Sequence, residues 1–294
     1  MEATYLAPLY DVAPTTFQLS DGGATTLTTG AAFDSAEQIT GAPRITLGTE
    51  LGRGYGIQGR YWELTSTSSQ FNAPTPILGN QLQSLGGEDS FNAYTIDLEL
   101  TKEFYRRNWD LLGTVGVRHA SLDHGHTASA YGVMNNDGYF LSASNGEEFH
   151  GTGLTFSLSG IRDIRPCRGL AAYWTTRGST IFGTAETSAL TSANVSSGFG
   201  NAGSTNAAID QQDETLFIGE FGAGLQWSRC VRSFNGRFFA RTGVEYQWWD
   251  AEDGSATAQS AAGILGNSVG VATTNGAELE TQFIGLSVMT GFAW

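Results

Sequence analysis

The sequence of 294 residues predicts an all-β fold: a transmembrane antiparallel up-and-down β-barrel of about ten strands, occupying residues 1–294 as a single domain. Three observations predict it: strand-length segments of alternating character, connections that alternate between long and short, and a composition poor in charge but rich in glycine. Charged residues make up 15% of the chain, against about a quarter in typical soluble proteins, and glycine occurs 39 times. Apolar runs such as 261–265 are far too short for a membrane-spanning helix.

Ten segments have the alternation and the length of membrane-crossing strands. Tyr94, Ile96 and Leu98, for example, alternate with the polar residues Asp97 and Glu99. Because successive side chains of a strand point to opposite sides, such a segment has one apolar and one polar face. The predicted strands are 2–10, 42–51, 55–66, 91–104, 109–122, 149–161, 169–183, 214–228, 236–250 and 279–294.

The connections between these strands alternate in length without exception. Five are long, at about 11–41, 67–90, 123–148, 184–213 and 251–278, and four are short, at 52–54, 105–108, 162–168 and 229–235. Long outer loops and short periplasmic turns are the layout of bacterial outer-membrane barrels, which a soluble β-sandwich has no reason to follow. We therefore expect an outer-membrane location, with both termini on the periplasmic side. The long loops are either ordered hairpins above the membrane or flexible segments.

Aromatic residues occur at both ends of the predicted strands, which is typical of the girdles at the two membrane interfaces. The alternative is that they are ordinary core aromatics. The short-turn group is Tyr55, Trp109, Trp227, Phe238 and Trp294, and the long-loop group is Trp62, Tyr94, Phe182, Tyr246 and Trp248. The final aromatic residue, Trp294, resembles the signal recognised by the barrel-assembly machinery. No leader precedes the first strand, and we interpret the sequence as a mature chain with an added start Met.

Charge is distributed unevenly between the two predicted rims. All 15 lysines and arginines lie in or beside the short turns or in mid-strand, although the net charge is −14. An acidic outer rim disfavours nucleic-acid binding and attracts divalent cations, whereas basic turns suit the phosphates of outer-membrane lipids. The alternative is that the loops are acidic for solubility. The loop acids include Asp11, Asp21, Asp34, Glu37, Asp123, Asp137, Asp210 and Asp253.

The polar faces of the strands carry five basic and five acidic residues that we expect to line the lumen, because an Arg facing lipid at mid-depth costs roughly 2–4 kcal/mol. Two interpretations are open. The charges either line a narrow aqueous pore and tune its ion selectivity, or form a salt-bridged plug. The ten residues are Arg44, Glu50, Arg60, Asp97, Glu99, Arg118, Arg177, Glu220, Arg241 and Glu245.

Other chemistry has weak support in the sequence. The cluster 123–126, with His124 and His126, has no partner pair of aspartates at another strand mouth, so we expect no enzyme, no metal site and no cofactor. Cys167 and Cys230 fall in two short turns, and in the oxidising periplasm they either form a disulfide or remain thiols.

Several segments resemble pore-forming outer-membrane proteins related to the Legionella major outer membrane protein, a family also abundant in planctomycetes. The similar stretches are 94–99 (YTIDLE), 109–118 (WDLLGTVGVR), 176–183 (TRGSTIFG), 219–227 (GEFGAGLQW) and 239–248 (FARTGVEYQW). They contain five of the predicted lumen residues, namely Arg118, Arg177, Glu220, Arg241 and Glu245. The resemblance implies an outer-membrane barrel that acts as a porin.

The sequence therefore favours passive diffusion of ions or small solutes through a narrow charged lumen. The alternative is a non-conducting structural or surface-interaction protein that acts through its acidic loops. A third hypothesis is a surface enzyme, whose activity would be lost on substitution of Asp123 or His126. A homo-oligomer is compatible with either of the first two functions.

Overall fold

The structure, a computed structural model, describes residues 2–10, 15–20, 26–31, 39–72, 81–164, 169–198, 200–231, 236–251, 256–264, 268–275 and 280–293. The described residues form strands joined by short turns. Within these ranges, no helix has the length and the apolar character needed to cross a membrane.

Ten strands form a closed antiparallel barrel, as predicted. Closure is made by β1, which pairs with β14 on one side, where Glu2 lies opposite Met289, and with β4 on the other, where Glu2 lies opposite Arg44. The barrel strands are β1 (Glu2–Tyr10), β4 (Thr40–Gly52), β5 (Tyr55–Asn72), β6 (Gln81–Arg106), β7 (Trp109–Met134), β8 (Asp137–Asp163), β9 (Leu170–Ser197), β10 (Gly200–Val231), β11 (Gly236–Asp250) and β14 (Glu280–Ala293). The other four are β2 (Thr15–Ser20), β3 (Thr26–Ala31), β12 (Thr257–Ile264) and β13 (Ser268–Asn275).

The barrel has apolar side chains outside and charged side chains inside. On β6, Leu98 and Leu100 are 56% and 59% exposed, whereas Asp97 and Glu99 are 2% and 1% exposed. This arrangement is the reverse of that in a water-soluble protein, because lipid rather than water surrounds the barrel. Closing the sheet also leaves no unpaired strand edge in the hydrocarbon region, where an unsatisfied backbone group is expensive.

Five strands continue far beyond the membrane. β6 to β10 are 26 to 32 residues long, whereas a tilted crossing needs about 9–11. Most of the predicted long loops 67–90, 123–148 and 184–213 are therefore strand extensions. Asn135 and Asn136, both with positive φ, form the two-residue turn between β7 and β8. Asparagine tolerates this left-handed conformation, which is required at both central positions of a type I′ hairpin turn.

The first and last predicted long loops contribute a second sheet. Its strand order is β12-β13-β2-β3, so segments from opposite ends of the chain pair with each other, for example Ala272 with Phe17. The sheet packs against the extended strands over a separate apolar core that includes Leu19, Tyr139 and Leu141. We call the extended parts of β5–β10 together with this sheet the outer module.

Exposed aromatic side chains lie at both predicted levels of the barrel, with Tyr55 and Trp227 at the short-turn level, and one assignment is corrected. Phe182, Tyr246 and Trp248 are exposed at the outer level. Trp62, however, is 1% exposed inside the lumen, so its assignment to the outer girdle is wrong. It has the same strand phase as the inward-facing Arg60, and strand phase rather than residue type decides which way a side chain points.

Gly285 lies at the closing seam, where a Cβ atom would stand 1.8 Å from the carbonyl oxygen of Tyr5 on β1. We predict that Gly285→Ala lowers the free energy of unfolding by roughly 1–3 kcal/mol, because the two seam strands must separate to admit the methyl group. The measurement is denaturant unfolding of the barrel in lipid vesicles. Gly59→Ala is the control, since its Cβ would stand 3.8 Å from the nearest atom. Equal stability of the two variants would contradict the prediction.

Candidate functional site: the filled lumen

Arg118 on β7 lies at the centre of the lumen and is completely buried. Its Nε and one terminal nitrogen donate to the two carboxylate oxygens of Asp97 at 2.7 and 2.9 Å. The other terminal nitrogen lies 2.7 Å from an oxygen of Glu220 on β10. The planar, two-pronged contact with Asp97 orients both partners, and the contact with Glu220 connects non-adjacent walls of the barrel.

Two further arginines enclose the same carboxylates. Arg60 on β5 donates to Glu220 at 2.7 Å and lies 3.6 Å from Asp97. Arg177 on β9 forms a close ion pair with Glu99 and lies 3.3 Å from Asp97. Side chains from five strands therefore meet in one connected group.

Arg44 forms a second group beside the first. It makes a two-pronged contact with Glu245, with one of its bonds 2.9 Å long, and an ion pair of 3.2 Å with Glu2. Gln247 donates to Glu245 at 2.7 Å, and Trp249 donates to Gln247 at 3.2 Å. We call the paired residues of both groups the lumen ion cluster; they are Glu2, Arg44, Arg60, Asp97, Glu99, Arg118, Arg177, Glu220 and Glu245.

An aromatic layer lies on the outer side of the lumen ion cluster. It consists of Trp62, Phe91, Trp249 and Phe283, all at most 1% exposed. The ring centroids of Trp62 and Trp249 are 5.7 Å apart, and those of Phe91 and Phe283 are 5.5 Å apart. Charged and apolar side chains thus fill the lumen at two successive levels.

A buried polar group lies beyond the aromatic layer, at the base of the outer module. Asp89 on β6 and His126 on β7 are hydrogen-bonded at 2.5 Å and are 2% and 1% exposed. His124 and Glu147 lie opposite each other on β7 and β8. A carboxylate that accepts from one ring nitrogen fixes the orientation of the imidazole, which is the arrangement of a general base.

A cavity of about 260 Å³ lies on the other side of the lumen ion cluster, towards the short turns. Arg241 lines it and is held by Gln226, which accepts from its Nε at 2.5 Å. The guanidinium also lies over the rings of Tyr173 and Phe239, 5.3 and 5.1 Å from their centroids. We call this space the turn-side cavity.

The structure brings together eight of the ten residues predicted to line the lumen. Arg241 lies apart in the turn-side cavity. Glu50 has the inward phase but is exposed near the first turn, where the strand register shifts, and it belongs to none of the ion pairs among the described residues. Its prediction as a lumen charge is corrected for that reason.

The remaining predicted sites are only partly described. Cys230 is exposed, but Cys167 lies outside the described residues, and so do Trp294 and five of the loop acids, namely Asp11, Asp21, Asp34, Glu37 and Asp253. The disulfide and the assembly signal therefore stay predictions. Within the part of the chain that the structure describes, no group of three His, Cys, Asp or Glu residues is arranged to hold a metal ion.

Sequence reasoning missed Glu2, the aromatic layer and Asp89. Strand phase could have found the first two, since Glu2 shares its face with Thr4 and Trp249 shares its face with Glu245. Asp89 has the phase of Asp97 but falls in a segment taken for a loop. The sequence shows no partner pair of aspartates for the histidine cluster, but a single aspartate, Asp89 on the neighbouring strand, contacts His126.

Comparisons with known proteins found similar solved structures but no matching family. No protein-family model and no curated protein matches the chain. The solved structure of the outer-membrane protease OmpT from Escherichia coli matches with 11% identity, covering 97% of this chain and 95% of that one, at a TM-score of 0.37. The toluene transporter TodX from Pseudomonas putida matches with 9% identity, covering 96% and 89%, at a TM-score of 0.22.

The protein is an outer-membrane β-barrel protein. Its closed ring of ten strands, its lipid-facing apolar belt and its buried charges are the properties of that class. The resemblance to the Legionella-type family stays a hypothesis based on short segments.

The prediction that the chain is not an enzyme is wrong on these comparisons, because a matched structure of similar length is that of a protease. At 11% identity and a TM-score of 0.37, this likeness assigns no activity to the present chain. The hydrogen bond between Asp89 and His126 also weakens the argument from the histidine cluster against an enzyme.

Burial lowers the pKa of His124 from 6.5 to about 4; repulsion from His126 adds to the effect, and attraction to Asp89 opposes it. His124 is the sixteenth residue of β7 counted from the short-turn end at Trp109, whereas a tilted membrane crossing takes about 9–11 residues, so His124 lies outside the membrane. The imidazole of His124 binds its second proton at a higher pH in the unfolded chain than in the folded chain. We therefore predict that His124 costs no stability above pH 6.5, and that stability falls by up to roughly 3 kcal/mol as the pH drops from 6.5 to 4.

The measurement is the unfolding midpoint of the protein in vesicles between pH 7.5 and 4.5. In His124→Gln the unfolding midpoint should decrease less steeply as the pH falls below 6.5. The matched His150→Gln should retain the slope of the unaltered protein, because the His150 side chain is 55% exposed. An unchanged slope in His124→Gln would show that other groups cause the acid sensitivity.

Proposed function

We propose that the protein is a closed outer-membrane barrel that holds an acidic β-structured module at the cell surface, where the module contacts other surface components. The observation that carries this proposal is the filled lumen. A narrow pore is the other function that the sequence predicts, and it would require water along the barrel axis. The complete burial of Arg118 and of the aromatic layer supports the closed alternative.

The lumen ion cluster is suited to closure rather than to conduction. A conducting lumen needs charges that bind ions and release them, so they must be hydrated. Here Asp97 and Glu99 have no exposed side-chain surface and are in contact with arginines. Removing one partner of such a buried pair typically costs about 3–5 kcal/mol, which keeps the cluster intact.

The outer module supports a role in surface contacts. The segments 61–101, 119–161 and 178–228 contain no lysine or arginine, so the outer walls carry acids alone. Asp123 and Asp213 are exposed on these walls. We expect divalent cations to screen this surface and to bridge it to neighbouring anionic groups. A homo-oligomer is one form that such contacts can take.

The test of closure is a planar-bilayer recording of the purified, heat-modifiable protein in KCl. We predict no steady single-channel openings, because two levels of side chains fill the lumen. A general porin inserted in the same lipid is the positive control, and protease protection of the vesicle-bound protein verifies insertion. Steady, reproducible openings of the folded protein would overturn the proposal and favour the porin.

A second candidate function is hydrolysis at the Asp89–His126 pair, favoured by their 2.5 Å hydrogen bond. Asp89 would orient the ring and His126 would activate a water molecule. Because both side chains are almost completely buried, the four-stranded sheet of the outer module would have to move to admit a substrate.

For this second candidate, we predict that any peptidase or esterase activity of the vesicle-bound protein falls at least about 100-fold in His126→Asn, since general-base catalysis contributes about that much or more. His150→Asn is the matched control, because its ring lies on the exposed wall. Activity that survives in His126→Asn, or that falls equally in both variants, would exclude this pair as the catalytic site.

A further inference from the structure

We propose that the turn-side cavity is a binding site for a small organic monocarboxylate that enters from the periplasm, with Arg241 as its anchor. This inference concerns the opposite end of the barrel from the outer module, and it does not depend on the proposed surface function.

Arg241 differs from the other lumen arginines in its partners. Arg44, Arg60, Arg118 and Arg177 each contact at least one carboxylate. Arg241 makes no ion pair with any described residue, and its hydrogen bond to Gln226 uses only Nε. The two terminal nitrogens, which form the fork that binds a carboxylate, therefore have no hydrogen bond among the described residues.

The surroundings of Arg241 hold it in place before any ligand arrives. Gln226 fixes the Nε edge, and the rings of Tyr173 and Phe239 lie against the guanidinium. The hydroxyl of Tyr173 is itself 3.4 Å from that of Ser287. A guanidinium that is already oriented loses little conformational freedom on binding, which favours affinity.

The charges around the cavity favour a singly charged ligand over a doubly charged one. Among the described residues, four arginines and three glutamates line it: Arg44, Arg60, Arg177, Arg241, Glu2, Glu220 and Glu245. Arg241 is the one of these arginines that makes no ion pair with a described carboxylate. Because Arg241 balances the charge of the lumen ion cluster, a bound monoanion leaves one uncompensated negative charge inside the barrel, whereas a dianion would leave two.

The size and the apolar part of the lining define the rest of the ligand. A space of about 260 Å³ is below the usual range of drug-sized sites and fits a molecule of a few carbon atoms. Leu112, Trp174 and Met289 give an apolar wall, and Ser157 and Thr175 give hydroxyls. A short alkyl or aryl carboxylate satisfies both surfaces. The basic short turns, with Arg106 and Arg229, would attract such anions electrostatically.

The experiment is calorimetric titration of the full-length protein in detergent micelles with butyrate, and with butyramide as the uncharged analogue. We expect saturable binding of butyrate and none of butyramide. Arg241→Gln should weaken butyrate binding at least about tenfold, since a hydrogen bond to a charged group is lost. Arg237→Gln is the matched control, because Arg237 is an exposed arginine on the same strand, and its loss should leave binding unchanged.

Arg241→Lys keeps the charge but loses the planar fork, and it should show intermediate affinity. It also provides the readout if Arg241→Gln does not give a heat-modifiable, folded barrel. Equal binding of butyrate and butyramide, an equal loss in Arg237→Gln, or the absence of saturable binding would each overturn the proposal. The bilayer recording tests closure independently, so the failure of one proposal is distinguishable from the failure of the other.

Discussion

Charge neutralisation across the lumen is the interaction on which the remainder of this barrel depends. Arg118 on β7 contacts Asp97 on the neighbouring strand and Glu220 on β10, and Arg60 contacts Glu220 from β5. A charged side chain is expensive when it faces lipid, and it is also expensive when it is buried without a partner of opposite charge. Opposite walls are therefore joined by ion pairs as well as by the continuous ladder of backbone hydrogen bonds that closes at β1.

The same closed ring serves two different compartments. In the membrane the lumen ion cluster fills it, with the aromatic layer at its outer end, and outside the membrane β6 to β10 continue as a wall that the four-stranded sheet covers. Asp89 and His126 lie between these parts. Arg241 lies at the other end, near the periplasm. The chain thus has separate chemical environments at its two ends, with a filled lumen between them.

The alternating pattern predicted the ten barrel strands because lipid and lumen impose opposite demands on neighbouring residues. Beyond the membrane both faces meet polar or weakly apolar surroundings, and small residues such as Ala, Ser, Thr and Gly no longer alternate clearly. For this reason the pattern predicts a loop where β7 and β8 continue, although Asn135-Asn136 is a recognisable hairpin turn. The residue type of Trp62 is typical of a girdle, but its strand phase places it inside the lumen.

The sequence by itself determined the membrane-spanning parts of the ten barrel strands, their order and most of the charged residues that face away from lipid, since these follow from local periodicity and from the lengths of the connections. Only the tertiary structure decided which charges pair, because Arg44 and Glu245 are 201 residues apart and meet only when the barrel closes. The second sheet also depends on closure, which brings β2 and β13 from opposite ends of the chain together. Contacts between segments so distant in sequence leave no local pattern from which they could be predicted.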